Sequence, residues 1–187
     1  MGRMGKPKEP QSAKLFMSFI TSGPHLFEKG LKDLCSIFGE ADSISERFPF
    51  DFTDYYTREM GYPLFRHFIT FERLIPLSTL PDIKQATNHL EEKYGTPDGN
   101  RQINIDPGYI CLEHVILATT KGYSHRPYLR DGIYADLTLI YRNQSFQALE
   151  WTYPDYRQES IIALFNQFRK KYVIDLKSLR EGAHCLC

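Results

Sequence analysis

Lys14 to Thr21, "KLFMSFIT", is nearly continuously apolar. A strand covered on both faces needs no polar alternation, so the run predicts a buried central strand. Ser22-Gly23-Pro24 ends it, and Pro24 at a first helical position opens a helix. Phe27, Leu31, Leu34, Cys35 and Phe38 then share one helical face, which Gly39 closes. Ile44, Phe48, Phe50 and Phe52 recur at even positions, a weaker strand pattern. Leu64 to Ile75, "LFRHFITFERLI", reads as a long strand between Pro63 and Pro76. Thr79 is placed to cap a second helix whose core face is Ile83, Ala86, Leu90 and Tyr94, and Gly95 ends it.

After the loop "GTPDGNR", Arg101 to Ile105 alternates as a short strand and Asp106-Pro107-Gly108 reads as a turn. Tyr109 to Ala118 is expected to be a helix giving way to extended chain. Gly132 to Tyr141 and Phe146 to Trp151 read as a β-hairpin around Asn143-Gln144. Ile161, Leu164, Phe165, Phe168 and Tyr172 define a last amphipathic helix. The first six elements run strand, helix, strand, strand, helix, strand. The expected class is therefore α+β: a ferredoxin-like βαββαβ sandwich with an appended β-hairpin and C-terminal helix. Residues 1–12 are expected to be a disordered tail, 13–174 a single domain and 175–187 a flexible tail.

At 187 residues the chain is long enough for one domain with a full core. Its formal net charge of zero removes the electrostatic case for nucleic acid. No apolar run reaches the length of a membrane span, and no apolar segment follows the basic start to make a signal peptide. Four cysteines without framework spacing fit a reducing cytoplasm.

Three stretches carry candidate chemistry. "TTKGYSHRPYLRDGIYAD", Thr119 to Asp136, offers Lys121, His125 and Arg126 as anion donors and Thr120 as a hydroxyl. An arginine fork matches phosphate or carboxylate, and a loop held between apolar segments can fix it. "FDFTDYY" alternates Asp51 and Asp54 with aromatics; its plain reading is two caps on a turn. "EWTYPDYR" places the single Trp151 and Tyr153 where they could stack a ring. Lys84, Asn88 and Glu91 form a polar stripe on the second helix and read as a solvated face. Arg66 and Glu72 read as partners in cross-strand ion pairs. Cys35 and Cys111 fall on apolar faces and read as core. The terminal "HCLC", His184 to Cys187, is too short in ligands for structural zinc.

"FPFDFTDYY", "NIDPGY", "ATTKGYSHRPYL" with "GIYADLTL", and "EWTYPDYR" together resemble the bacterial family labelled domain of unknown function 4416, over about Gly5 to Tyr172. The resemblance implies a small bacterial cytoplasmic protein and assigns no activity. Similar sequences sometimes carry a GTP-binding label, but Gly2 to Pro7, "GRMGKP", has neither P-loop spacing nor the hydroxyl after lysine.

The expected function is binding of an anionic small molecule, phosphorylated or nucleotide-like. Lys121, His125, Arg126 and Thr120 would hold the anion and Trp151 or Tyr153 the ring. Asp51, Asp54 and Asp106 would act as acid–base groups or as ligands of Mg²⁺. The alternative is a non-catalytic module binding a protein partner through an aromatic-rich surface.

Overall fold

Every residue of the first strand, β1 (Ala13–Thr21), is buried. The computed structural model describes residues 6–53 and 55–184, with side chains as far as Glu181. β1 pairs antiparallel with β4 (Phe65–Ile75) on one side and with β5 (Ile103–Ile110) on the other. Its two faces meet different layers. Leu15, Met17 and Phe19 pack in one core with Leu34 of α1 (Pro24–Phe38) and with Ile83 and Leu90 of α3 (Leu80–Lys93). Phe16 faces the opposite way and meets Phe165 of α4 (Glu159–His184) edge-on, ring centres 5.1 Å apart. A sheet with helices on both faces explains why β1 shows no polar alternation.

The sheet has nine strands, in the order β2-β4-β1-β5-β6-β8-β7. Here β2 is Ala41–Ile44, β6 His114–Thr119, β7 Tyr128–Arg130 and β8 Ile133–Arg142. β3 (Phe48–Pro49) pairs β4, and β9 (Ser145–Ala148) turns back on β8. Asn143 and Gln144 join those last strands with φ of 50° and 64°. Positive φ at both central residues is what a two-residue reversal between right-twisted strands requires. A short α2 (Thr57–Met60) leads into β4. The mixed α+β class thus stands, with several helices and a C-terminal one. Among the described residues, no helix is long and apolar enough to cross a membrane.

Four expectations are corrected. Asp106-Pro107-Gly108 is no turn but lies inside β5. Pro107 falls just before pairing with β6 begins at Gly108, where an open strand edge tolerates a residue without an N–H. Gly108 is required there: a Cβ would lie 2.5 Å from the Phe16 ring. Tyr109 to Ala118 is not helical; it is the end of β5, a turn at Cys111–Glu113, and β6. Its "VIL", with β-branched Val115 and Ile116, pairs with β8, and that tertiary pairing decides the state. Thr79 does not cap α3; its hydroxyl donates to Pro76 O at 2.7 Å, closing a preceding 3₁₀ turn. Finally, α4 continues through the expected tail from 175 as far as His184. Asp175 on that extension reaches Lys14 of β1 at 2.5 Å, a long-range ion pair that periodicity does not report.

Candidate functional site

A cavity of about 640 Å³ opens at the end of the sheet where β5 begins and β6 ends. β4 contributes Arg66, β5 Asn104 and Asp106, and β8 Asp136. Thr119, Thr120 and Lys121 follow β6 along one wall. α3 supplies Lys84, Asn88 and Glu91, and their i, i+4, i+7 spacing brings all three to the same side. The aromatic lining comes from Phe50, Phe52, Tyr55 and Tyr56 before β4 and from Tyr153 and Tyr156 after β9.

The acid–base groups form a chain along β5. Lys84 Nζ donates to Ile105 O at 3.0 Å and to Asp106 Oδ1 at 3.2 Å. Asn104 Nδ2 donates to the other oxygen of Asp106 at 2.8 Å. Arg101 grips Glu59 through Nε at 3.0 Å and Nη2 at 2.7 Å, and also reaches Asn104 Oδ1 at 3.1 Å. Hydrogen bonding to Arg101 holds the Glu59 carboxyl below its usual range. Glu91 accepts the Ile105 N–H at 2.7 Å, and its other oxygen is 3.8 Å from Arg101.

Two carboxyls on this wall are pushed in opposite directions. Burial raises Glu91 to about 7, against the opposing pull of Lys84. Burial also acts to raise Asp106, but Lys84, the Asn104 and Lys84 hydrogen bonds and Arg66 outweigh it, so its net shift is downward. The wall therefore carries an ionised carboxylate beside one that changes protonation near neutrality, a division of roles that acid–base chemistry uses.

Arg66 makes the opposite wall. Its guanidinium lies over the Phe50 ring at 4.4 Å and near the Tyr156 ring at 5.4 Å, and it pairs with Asp155. It is buried, burial lowers its pKa, and Nε has no hydrogen-bond partner. Burial likewise raises the Tyr56, Tyr153 and Tyr156 hydroxyls, so these are neutral donors at any ordinary pH.

The residues expected from sequence divide into three groups. Thr120, Lys121, Tyr153 and Asp106 line the cavity. His125 and Arg126 stand behind its wall. Arg126 Nε donates to Asp136 Oδ2 at 2.7 Å, and His125 Nε2 lies 3.4 Å from the same oxygen. Arg126 also donates to the Tyr153 hydroxyl at 2.7 Å and to Lys121 O at 3.1 Å, so it fixes two lining residues at once. Trp151 stacks on His125, rings 5.0 Å apart and 15° from parallel, while its indole N–H donates to Leu137 O at 2.8 Å. Asp51 is exposed and off the lining. Asp54, Cys185 and Cys187 lie outside the described residues, as does the side chain of His184.

Sequence reasoning passed over Arg66, Lys84, Glu91 and Asp136. Lys84 and Glu91 were expected on a solvated face, yet they are 6% and 7% exposed. A helical charge stripe faces water or a polar cavity with equal periodicity, so only the packing tells the two apart. Arg66 pairs with Asp155 beyond the sheet instead of across strands. The usable signal was charge inside apolar strands: Arg66 in "LFRHFIT" and Asp136 in "IYADLTL".

No curated protein and no solved structure matches the chain. The motifs quoted above nonetheless come together around this cavity or directly behind it, within a match that covers residues 11–172. Over that span the chain belongs to the bacterial family described as Domain of unknown function (DUF4416).

Proposed function

We propose that the cavity binds a small anionic molecule, phosphorylated or nucleotide-like, with its ring against the aromatic wall. One observation carries the reading: the lining holds cationic donors with unused capacity. Among the described residues Lys121 has no carboxylate partner, and its ammonium rests 4.6 Å from the centre of the Tyr55 ring. Arg66 keeps Nε unpaired although buried. Buried donors normally find acceptors, so a free one beside a cavity favours an acceptor brought by a ligand. Thr119 and Thr120 add hydroxyls beside Lys121. Asp106 is the ionised carboxylate available to a Mg²⁺ accompanying a phosphate. Glu91, near neutrality, is the group suited to accept or deliver a proton.

The strand order supports the finer architectural reading. β2-β4-β1-β5 with α1 and α3 on one face is what a ferredoxin-like split βαβ produces, β8 and β9 then being the appended hairpin. The cavity lies where this unit meets the added strands. Free Cys35 and Cys111 support a cytoplasmic setting.

A thermal-shift panel of nucleotides and sugar phosphates, with and without Mg²⁺, tests the function. A ligand at about a hundred times its dissociation constant adds about 2.7 kcal/mol. At least one member should raise the melting temperature in the wild type, and by a smaller amount in Lys121→Ala; a flat panel would count against the reading. The partner-binding alternative draws on the exposed rings of Tyr123 and Tyr128, 69% and 59% exposed. It predicts that Tyr123→Ala and Tyr128→Ala disrupt a complex while leaving small-molecule shifts unchanged.

A further inference from the structure

At the other end of β5 and β6 from the cavity, three potential metal ligands share one tight turn. Cys111, Glu113 and His114 present Sγ, a carboxylate oxygen and a ring nitrogen that all lie within 4.8 Å of one another. Cys111 Sγ is 3.3 Å from His114 Nε2. Zinc bonds of about 2.3 Å to sulfur and 2.0 Å to nitrogen place such atoms about 3.5 Å apart across a tetrahedral ion. The observed spacing therefore needs little change to receive one.

The turn is held by contacts that do not use the ligand atoms. Cys111 N–H donates to His114 O at 2.9 Å, and Tyr141 N–H donates to Glu113 O at 2.7 Å. Arg169 of α4 donates through Nε to Leu112 O at 2.8 Å. Backbone pinned from three directions keeps the three side chains on the same side without a metal, which lowers the ordering cost of binding.

We propose that Cys111, Glu113 and His114 form a site for a borderline-soft divalent cation, Zn²⁺ in the first place, with water completing the tetrahedron. One thiolate, one imidazole and one carboxylate are a donor set that suits zinc and disfavours Mg²⁺ or Ca²⁺. On binding, the Cys111 S–H bond breaks, the sulfur–metal bond forms and the proton passes to solvent; no electron is transferred.

Co²⁺ replaces Zn²⁺ as a visible probe. The full chain carrying Cys185→Ser and Cys187→Ser removes the terminal thiols from the assay. That protein should bind one equivalent of Co²⁺ with a thiolate-to-cobalt charge-transfer absorption. Cys111→Ser should abolish the band. His114→Ala should weaken binding by about tenfold or more, since loss of even an outer-shell partner costs that much. Far-ultraviolet circular dichroism of both variants separates lost binding from lost folding, and Glu113→Gln offers an exposed ligand whose change leaves the core untouched. Absence of the band from the tail-substituted protein, or its persistence after Cys111→Ser, would overturn the proposal. Failure of the cavity to bind phosphates would not affect this result.

Discussion

Lys14, Lys84 and Arg66 are all cations buried in the interior, yet they are treated in different ways. Lys14 is fully buried and enclosed by acceptors: it donates to Asp42 at 2.6 Å and to Phe71 O at 2.8 Å, and it is ion-paired with Asp175 at 2.5 Å. Asp42 is itself saturated by the Thr70 hydroxyl at 2.5 Å. The result ties β1 and β2 to α4, where Lys171 also approaches Asp42 at 3.6 Å. Around the cavity, buried Lys84 and Arg66 and exposed Lys121 have donors left over or face open volume. Burial of charge alone does not mark a site. Burial of charge with unfilled hydrogen-bonding capacity beside a cavity does.

Breaking the closed network should give the largest loss of stability. Lys14→Met leaves Asp42 and Asp175 without their common cation. A buried pair that loses one partner costs about 3–5 kcal/mol. Urea denaturation should show that loss, with ligand shifts at the cavity intact in the folded fraction.

Glu91→Gln sharpens the cavity side through pH. The folded carboxyl titrates near 7 against an ordinary value of 4.5. The contribution of its neutral form is fully present below pH 4.5 and is lost as pH rises through about 7. A shift of that size corresponds to about 3 kcal/mol. The wild type should therefore lose stability relative to Glu91→Gln across that window, measured as denaturation midpoints at a series of pH values. Parallel curves would mean that Glu91 is not buried in the way described.

Arg126→Ala comes next. Asp136, 2% exposed, would keep only the Thr138 hydroxyl at 3.1 Å and His125 as partners. Loss of a hydrogen bond to a charged group costs about 2 kcal/mol. Sequence reasoning alone put Arg126 on the ligand; the structure makes it a support of the wall, so reduced ligand affinity should accompany reduced stability. Lys121→Ala is the smallest perturbation of the fold, within about 0.5 kcal/mol, because it removes a surface-facing cation without stranding a carboxylate among the described residues.

What could be read from sequence and what could not follow the same division. β1, α1, β4 and α3 stand in "KLFMSFIT", in the face of Phe27 and Leu31, and in the strand between Pro63 and Pro76, because burial by neighbouring layers imposes a local period. "NIDPGYI" was read as a turn because proline and glycine punctuate chains locally. Only the approach of Phe16 and the late start of β6 explain their place in a strand. The basic stretch from Thr119 to Asp136 does mark the neighbourhood of the cavity through Thr120 and Lys121. It could not separate Lys121 from Arg126, since their difference lies in Asp136, which folding brings back along β8. The wall made by Lys84 and Glu91 was legible as a stripe but not as a site. Its partners, Asp106 and Ile105, belong to β5, and no spacing within α3 refers to them.

The central claim is that the spare cationic donors of the cavity are reserved for a ligand anion. Calorimetric titration of the wild type, Lys121→Ala and Lys14→Met with a nucleoside phosphate and a sugar phosphate, Mg²⁺ present, tests it most directly. The account predicts saturable one-to-one binding by the wild type and by folded Lys14→Met. Lys121→Ala should be weaker by about tenfold or more, the cost of a charge-assisted contact. Equal binding by wild type and Lys121→Ala, or no binding of either phosphate by the wild type, would contradict it.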